Sequence, residues 1–289
     1  MAAAGALESA LQSRMFDIAS TLPAGALGVS VYDYLSGFSW QYDGARWFHG
    51  ASTIKIAILA AVFDGFDTGR FDLGNRILVR NRFISAVDGQ PYRVQASRDA
   101  DAEVHAAVGR TMRIGELTRH MIGTSSNLAT NLLLDLVGLD AARQTLARRG
   151  LTGIDLQRGV EDDRAFDAGC SNRVTADGLV GLLRAIRDGQ DFSPASAAAM
   201  LDILFEQRFA GSIGPGLPEA VRAVARVAHK TGDISNASHD AGFVFLPGRQ
   251  PYVVALLTES AGDPSDRIAA LTAASGAIYG AISAVGEVS

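Results

Sequence analysis

Three short clusters in this sequence hold side chains able to open an amide or ester. Ser52-Thr53-Ile54-Lys55 sets a hydroxyl and an amine three residues apart, so on a helix both fall on one face. A serine hydroxyl is a weak nucleophile until a neighbouring base takes its proton. A lysine lowered in pKa by burial or by nearby cations can be that base. Ser125-Ser126-Asn127 offers a hydroxyl that can pass a proton to a leaving group and an amide that can hold a substrate carbonyl. Lys230-Thr231-Gly232 offers an amine and a hydroxyl for a carboxylate, and a glycine that lets substrate backbone lie close to a strand. The backbone N–H groups of Ser52 and Asp233 are a candidate oxyanion hole. Taken singly, each cluster also reads as an ordinary helix cap or strand end.

The elements that must position these groups follow from hydrophobic period. Helical spacing (Leu7, Leu11, Met15, Ile18) predicts a helix from Leu7 to about Ser20. Ala26–Tyr34 and Phe38–Tyr42 alternate as two strands of a hairpin. Helices are predicted over Ser52–Phe66, Ile114–Ile122, Ser126–Val137, Leu139–Arg149, Thr175–Asp188 and Ser193–Glu206. Strands return at Ala220–His229, Asp240–Leu246 and Tyr252–Thr258, and a helix from about Asp266 to Val285 closes the chain. Two stretches break the period. Residues 83–110, with Asp88-Gly89 and Pro91, read as a surface insertion. Residues 154–173 form a polar, acid-rich loop, a length that is often functional. The expected fold is α+β in two lobes. Residues 1–50 and 210–289 form a five-stranded antiparallel sheet with flanking terminal helices, and residues 51–209 form an inserted all-helical lobe. A cleft between lobes is the expected place for a ligand.

The order S-x-x-K, S-x-N, K-T-G is the motif set of class A β-lactamases and penicillin-binding proteins. With the matching element order, the chain resembles that superfamily of penicillin-recognising serine enzymes over nearly its whole length. Within it, it is most similar to the class A β-lactamase-related serine hydrolases. The stretch Ser125–Leu136 resembles the helix after the S-D-N motif, with Asn131 at the place of an asparagine that braces the acidic loop. Asp240-Ala241-Gly242 after His239, and the insertion Phe83–Tyr92, also resemble that subgroup. The resemblance implies Ser52 as nucleophile and Lys55 as its base or relay. It implies Ser125 as proton shuttle, Asn127 as substrate-amide ligand, and Lys230 and Thr231 as carboxylate ligands. The chain departs from the pattern twice. Ser126 replaces the aspartate of S-D-N, which alters buried support. In the acidic loop, the family's arginine is followed two residues later by the glutamate that activates the deacylating water. Here Arg158 is followed two residues later by Val160, and Glu161, Asp162 and Asp163 come next. A one-residue slip moves a carboxylate by about 3–4 Å. Among these three acids Glu161 is taken as the water-activating one.

The expected function is a serine hydrolase forming an acyl-enzyme, with β-lactam amides as substrate class. The alternatives are a related esterase, amidase or D-alanyl-D-alanine peptidase with weak β-lactam turnover, and a non-hydrolysing penicillin-binding sensor. His49 and His229 flank the motifs and, with Lys55 available, are read as packing or hydrogen-bonding residues. His105 and His120 are read as structural. Composition fits a globular enzyme. The 289 residues are 48 % apolar and 20 % charged, with net charge −5 and a pI of about 5.5. No basic run points to nucleic acid or an anionic membrane. No stretch reaches the roughly 18 uninterrupted apolar residues of a membrane span. The lone Cys170 excludes an internal disulfide and reads as a buried small hydrophobe. No spacing suggests a metal or cofactor. The expected partner is a small-molecule substrate, and the expected state a monomer. The N-terminus has no signal-peptide pattern. The expected location is periplasmic or secreted if a leader was removed, and cytoplasmic otherwise.

Overall fold

The computed structural model describes residues 2–286. In chain order its helices are α1 (Ala2–Ala19), α2 (Lys55–Asp67), α3 (Ala102–Ala106), α4 (Ile114–Gly123), α5 (Asn127–Val137), α6 (Leu139–Arg148), α7 (Asp163–Asp167), α8 (Ala176–Arg187), α9 (Pro194–Leu204), α10 (Glu219–Arg222) and α11 (Pro264–Gly286). The main sheet is built from β1 (Ala26–Asp33), β2 (Ser39–Tyr42), β3 (Arg226–Ile234), β4 (Ala237–Phe245) and β5 (Tyr252–Glu259). Its order is β3-β4-β5-β1-β2, with every neighbouring pair antiparallel. This is the expected α+β fold with a five-stranded antiparallel sheet.

Contacts divide the chain into two compact units. One holds residues up to Thr53, Val174–Arg184, and Ala210 onward; the other holds Ile54–Arg173 and Ala185–Phe209. The ranges differ from those read in the sequence, because 51–53 and 174–184 join the sheet unit. Asp177 N donates to Gly44 O at 3.0 Å, and the Arg184 guanidinium lies 3.7 Å over the Tyr32 ring. These contacts tie α8 to the β1–β2 region.

In the sheet unit, alternation puts Leu27, Val29 and Val31 of β1 on one face with Val254 and Leu256 of β5. Leu11, Met15 and Ile18 of α1 and Leu271, Ala274, Ile278 and Ile282 of α11 join them in one buried core. Each fully buried Leu or Ile contributes roughly 1.5–3 kcal/mol. By length and composition α11 could cross a membrane. Here its apolar face lies in the core, beside β4 and β5.

The strand expected over Ala220–His229 is shifted. Pro218, with φ −52°, opens the short α10. β3 then starts at Arg226 and runs to Ile234. Lys230-Thr231-Gly232 therefore lies inside a strand, not at its end.

In the helical unit α2 is buried from Lys55 to Gly65 and is packed by α4, α5, α6 and α9. A helix apolar all round must sit in a core. The insertion 83–110 is more ordered than its sequence suggests. Phe83–Ile84 pairs with Pro91–Tyr92 across a turn in which Gly89 has φ +68°, a conformation glycine adopts at low cost. Asp101 caps α3 by accepting from the N–H groups of Glu103 and Val104.

Candidate active site

Lys55, the first residue of α2, sits in an apolar helix with no exposed surface. Its Nζ donates to Ser125 O at 2.6 Å and to Asn127 Oδ1 at 2.8 Å, and lies 3.1 Å from Ser125 Oγ. Burial pushes its pKa down to about 7, while the carboxylates of Asp99 and Glu161 hold it up. A neutral amine here can donate to the two carbonyl oxygens and keep a lone pair for a hydroxyl proton. Ser125 reaches this position with φ +60°, a left-handed backbone that costs a non-glycine residue about 1–3 kcal/mol. The next residue, Ser126, caps α5 by accepting from Ala129 N at 3.2 Å, so Asn127 leads the helix.

The three acids after Val160 have three different surroundings. Glu161 accepts from Asn127 Nδ2 at 2.8 Å and from Gln95 N at 2.9 Å, and its side chain is 5 % exposed. Asp162 is a cap and brace that accepts from Ala165 N and Ala86 N. Asp163 is 60 % exposed and pairs with Arg98. Only Glu161 joins the group around Lys55. It does so with φ +59°, so the left-handed turn carries the carboxylate inward one residue after Val160. The loop is fixed at that point by Asn131, which donates to Val160 O and accepts from Val160 N, both at 2.8 Å. Asn172 does the same further out, accepting from the N–H groups of Gln157 and Arg158 and donating to Arg158 O.

The remaining candidates lie in the sheet unit. Ala51–Ile54 is a 3-10 turn that runs straight into α2, where an unbroken α-helix from Ser52 was expected. Thr53 Oγ1 donates to Gly50 O, and tight turns of this kind are common at helix starts. Ala51, just before Ser52, has φ +42°. β3 runs against this turn. A Cβ on Gly232 would stand 3.0 Å from the backbone nitrogens of both Ser52 and Thr53, so a side chain here would crowd the backbone of the turn. Lys230 is fully buried, and its Nζ donates to Thr231 O at 2.9 Å. The His239 ring of β4 donates from Nε2 to His49 O at 2.7 Å and is held neutral by burial, its pKa pushed down to about 4. His49 Nδ1 accepts from Ala51 N. The structure thus brings Lys55, Ser125, Asn127 and Glu161 together in one unit. It brings Ser52 beside the Lys230–Gly232 strand, with Asp233 the next residue, in the other.

A model of the β-lactamase enzyme family matches residues 7–282. The chain belongs to the β-lactamase enzyme family. It is 24 % identical over 232 residues to a β-lactamase of Rhodobacter capsulatus, covering 80 % of this chain and 74 % of that one. Among solved structures it is similar to a variant of PBP-A in an acyl-enzyme complex with penicillin G, with TM-score 0.80, 27 % identity and coverage of 95 % and 97 %. It is also similar to a β-lactamase from Sphaerobacter thermophilus, with TM-score 0.78, 28 % identity and coverage of 96 % and 97 %. These findings support a β-lactamase-like serine hydrolase.

For this family member the remaining side chains take supporting places. His229 Nδ1 lies 2.7 Å from Asp240 Oδ1, and Asp240 Oδ2 accepts from Ser212 N and Ile213 N. His105 and His120 pair with Asp99 and Asp101. Cys170 is only half-buried, because it sits on the pinned loop, where its carbonyl accepts from Arg158 Nε. Among the described residues no group of three or more His, Cys, Asp or Glu could hold a metal. The sequence holds a signal that motif matching passes over. The chain has two lysines, Lys55 and Lys230, and every other basic side chain outside histidine is arginine. An amine that must lose its proton cannot be replaced by a guanidinium, which stays charged.

Proposed function

We propose that the enzyme hydrolyses β-lactam amides through an acyl-enzyme on Ser52. The observation that carries this reading is the buried Lys55 amine, with its pKa near 7, bonded to Ser125 and Asn127, with Glu161 bonded to the same asparagine. Lys55 Nζ takes the proton of Ser52 Oγ as that oxygen attacks the lactam carbonyl carbon. The backbone N–H groups of Ser52 and Asp233 hold the developing oxyanion. When the C–N bond breaks, the Ser125 hydroxyl gives its proton to the nitrogen and is resupplied from the Lys55 ammonium. Asn127 holds the acyl-side amide, and Lys230 and Thr231 hold the substrate carboxylate. In the second half-reaction Glu161 takes a proton from water, the water oxygen attacks the ester carbonyl, and the proton held by Glu161 returns to Ser52 Oγ as the acyl C–O bond breaks.

One observation favours a second reading. The water-activating acid follows Val160 instead of standing at its position, and the chain aligns with a PBP-A variant captured as an acyl-enzyme with penicillin G. On that reading acylation is fast and release slow, as suits a peptidase or a penicillin-binding protein. Intact-mass spectrometry after mixing with penicillin G, beside steady-state turnover of a chromogenic cephalosporin, separates the two. Rapid turnover without lasting adduct supports a β-lactamase. A persistent adduct on Ser52 supports the slow acyl-enzyme. No adduct and no turnover, or full activity in Ser52→Ala, would overturn both.

A further inference from the structure

Beneath the Ser125–Asn127 turn lies a carboxylate that no motif contains. The Asp99 side chain comes from the insertion and has no exposed surface. Its Oδ2 accepts from Leu128 N at 2.9 Å and Ser126 Oγ at 3.3 Å, and lies 3.1 Å from His105 Nε2. Its Oδ1 accepts from Asp101 N at 3.1 Å. A carboxylate at the first turn of α5 satisfies an otherwise open N–H and faces the positive end of the helix. It also fixes Ser126, the residue between the proton-shuttle candidate and Asn127. The carboxylates of Asp99 and Glu161 both favour the charged form of Lys55.

We propose that Asp99 is the positioning residue of this turn, supplying from a distant segment the buried carboxylate that Ser126 lacks and holding Ser125 and Asn127 against Lys55. The groups around it support this assignment. From α3, His105 faces the same oxygen as Ser126. From α4, His120 is turned to Asp101 instead, with Thr124 as a further donor to that carboxylate. The neighbouring Arg98 is directed at Asp163 and, more distantly, Glu161. The negative charge of Asp99 is therefore shared among the α5 N-terminus, His105 and the Lys55 amine. The inference rests on the proposed function for its kinetic consequence but not for its electrostatic one.

The test uses both consequences. With only two lysines in the chain, lysine labelled with carbon-13 at Cε gives two resonances, and Lys230→Arg assigns them. In Asp99→Asn the Lys55 titration midpoint falls by about half a pH unit or more, because an anion that favoured the ammonium is gone. Acylation by penicillin G slows about tenfold. In Asp99→Ser/Ser126→Asp, which returns the carboxylate to the turn itself, both readouts recover towards wild type. A folded Asp99→Asn protein with an unmoved Lys55 midpoint would overturn the proposal, even if its thermal stability dropped. Where Asp99→Asn does not fold, the double variant decides. A folded protein with the wild-type midpoint supports the proposal, and an unfolded one or a lowered midpoint overturns it. A wild-type protein that penicillin G never acylates would sink the proposed function while leaving the lysine titration to judge Asp99.

Discussion

At the scale of single residues, the environment of Lys55 decides what it can do. An exposed lysine is charged at neutral pH, whereas burial in α2 brings its pKa to about 7. In its proposed role of general base it would act in the neutral form. The acylation rate is therefore expected to rise with pH through about 7 and to fall about tenfold per unit below it. A pre-steady-state pH profile checks this, and a rate flat from pH 5 to 8 would remove Lys55 from the proton path. Lys55→Ala is expected to slow acylation about 10²–10⁴-fold. The three loop acids should separate just as clearly. Glu161→Gln should leave acylation intact and slow release by about 10²-fold or more, so that the acyl-enzyme accumulates in a mass spectrum. Asp162→Ala should instead lower stability by about 1 kcal/mol through loss of the α7 cap. Asp163→Asn, at an exposed ion pair, should change stability by no more than about 0.5 kcal/mol.

At the scale of elements, the helical-unit residues of the site are clasped by two irregular segments. The insertion strap reaches Glu161 through Gln95 N, Asp163 through Arg98, and α5 through Asp99. The acidic loop is tied to α5 by Asn131. Asn131→Ala would leave the backbone of Val160 without partners, at a cost of about 1–3 kcal/mol. It would let Glu161 drift, so deacylation should suffer more than acylation. Equal loss of both, measured by single-turnover kinetics, would show that the asparagine only stabilises the fold. In the sheet unit the corresponding element is β3 against the 3-10 turn. Gly232→Ala puts a methyl group 3.0 Å from two backbone nitrogens. Turnover should fall steeply while far-UV circular dichroism stays that of the wild type.

At the scale of the whole molecule, a buried guanidinium ties segments of the sheet unit together. Arg267 of α11 is fully buried. It donates to the carbonyls of Ser260, Gly262 and Ser235, and to Ser238 Oγ. It thus gathers the β3–β4 turn and the end of β5 onto one side chain. Arg267→Ala should unfold at a temperature several degrees lower, a loss of about 2–4 kcal/mol from carbonyls left without donors. The chemistry at Lys55 should survive in whatever fraction remains folded.

Much of this was written in local pattern. Alternation in Ala26–Asp33 and Tyr252–Glu259, and the apolar run of α2, follow from side-chain direction and burial. Residue type and spacing likewise picked out S-x-x-K, S-x-N and K-T-G, and with them the resemblance to the family. Local pattern failed where neighbours in space override neighbours in sequence. Residues 220–225 carry a strand-like valine content yet turn through α10, and 83–110 looks unstructured until its hairpin and Asp101 cap are paired. The acidic loop shows the difference most sharply. The order of residues shows that Glu161 stands one place after Val160. Whether it faces water or Asn127 depends on a left-handed φ and two hydrogen bonds from Asn131. The choice of a buried partner for Ser126, found in Asp99, is likewise made across 27 residues. Sequence determined which functional groups this enzyme owns, because residue type fixes pKa range and donor count. Only the tertiary structure decided which of them are dry and close enough to act, because desolvation and hydrogen-bond geometry depend on segments that meet through folding.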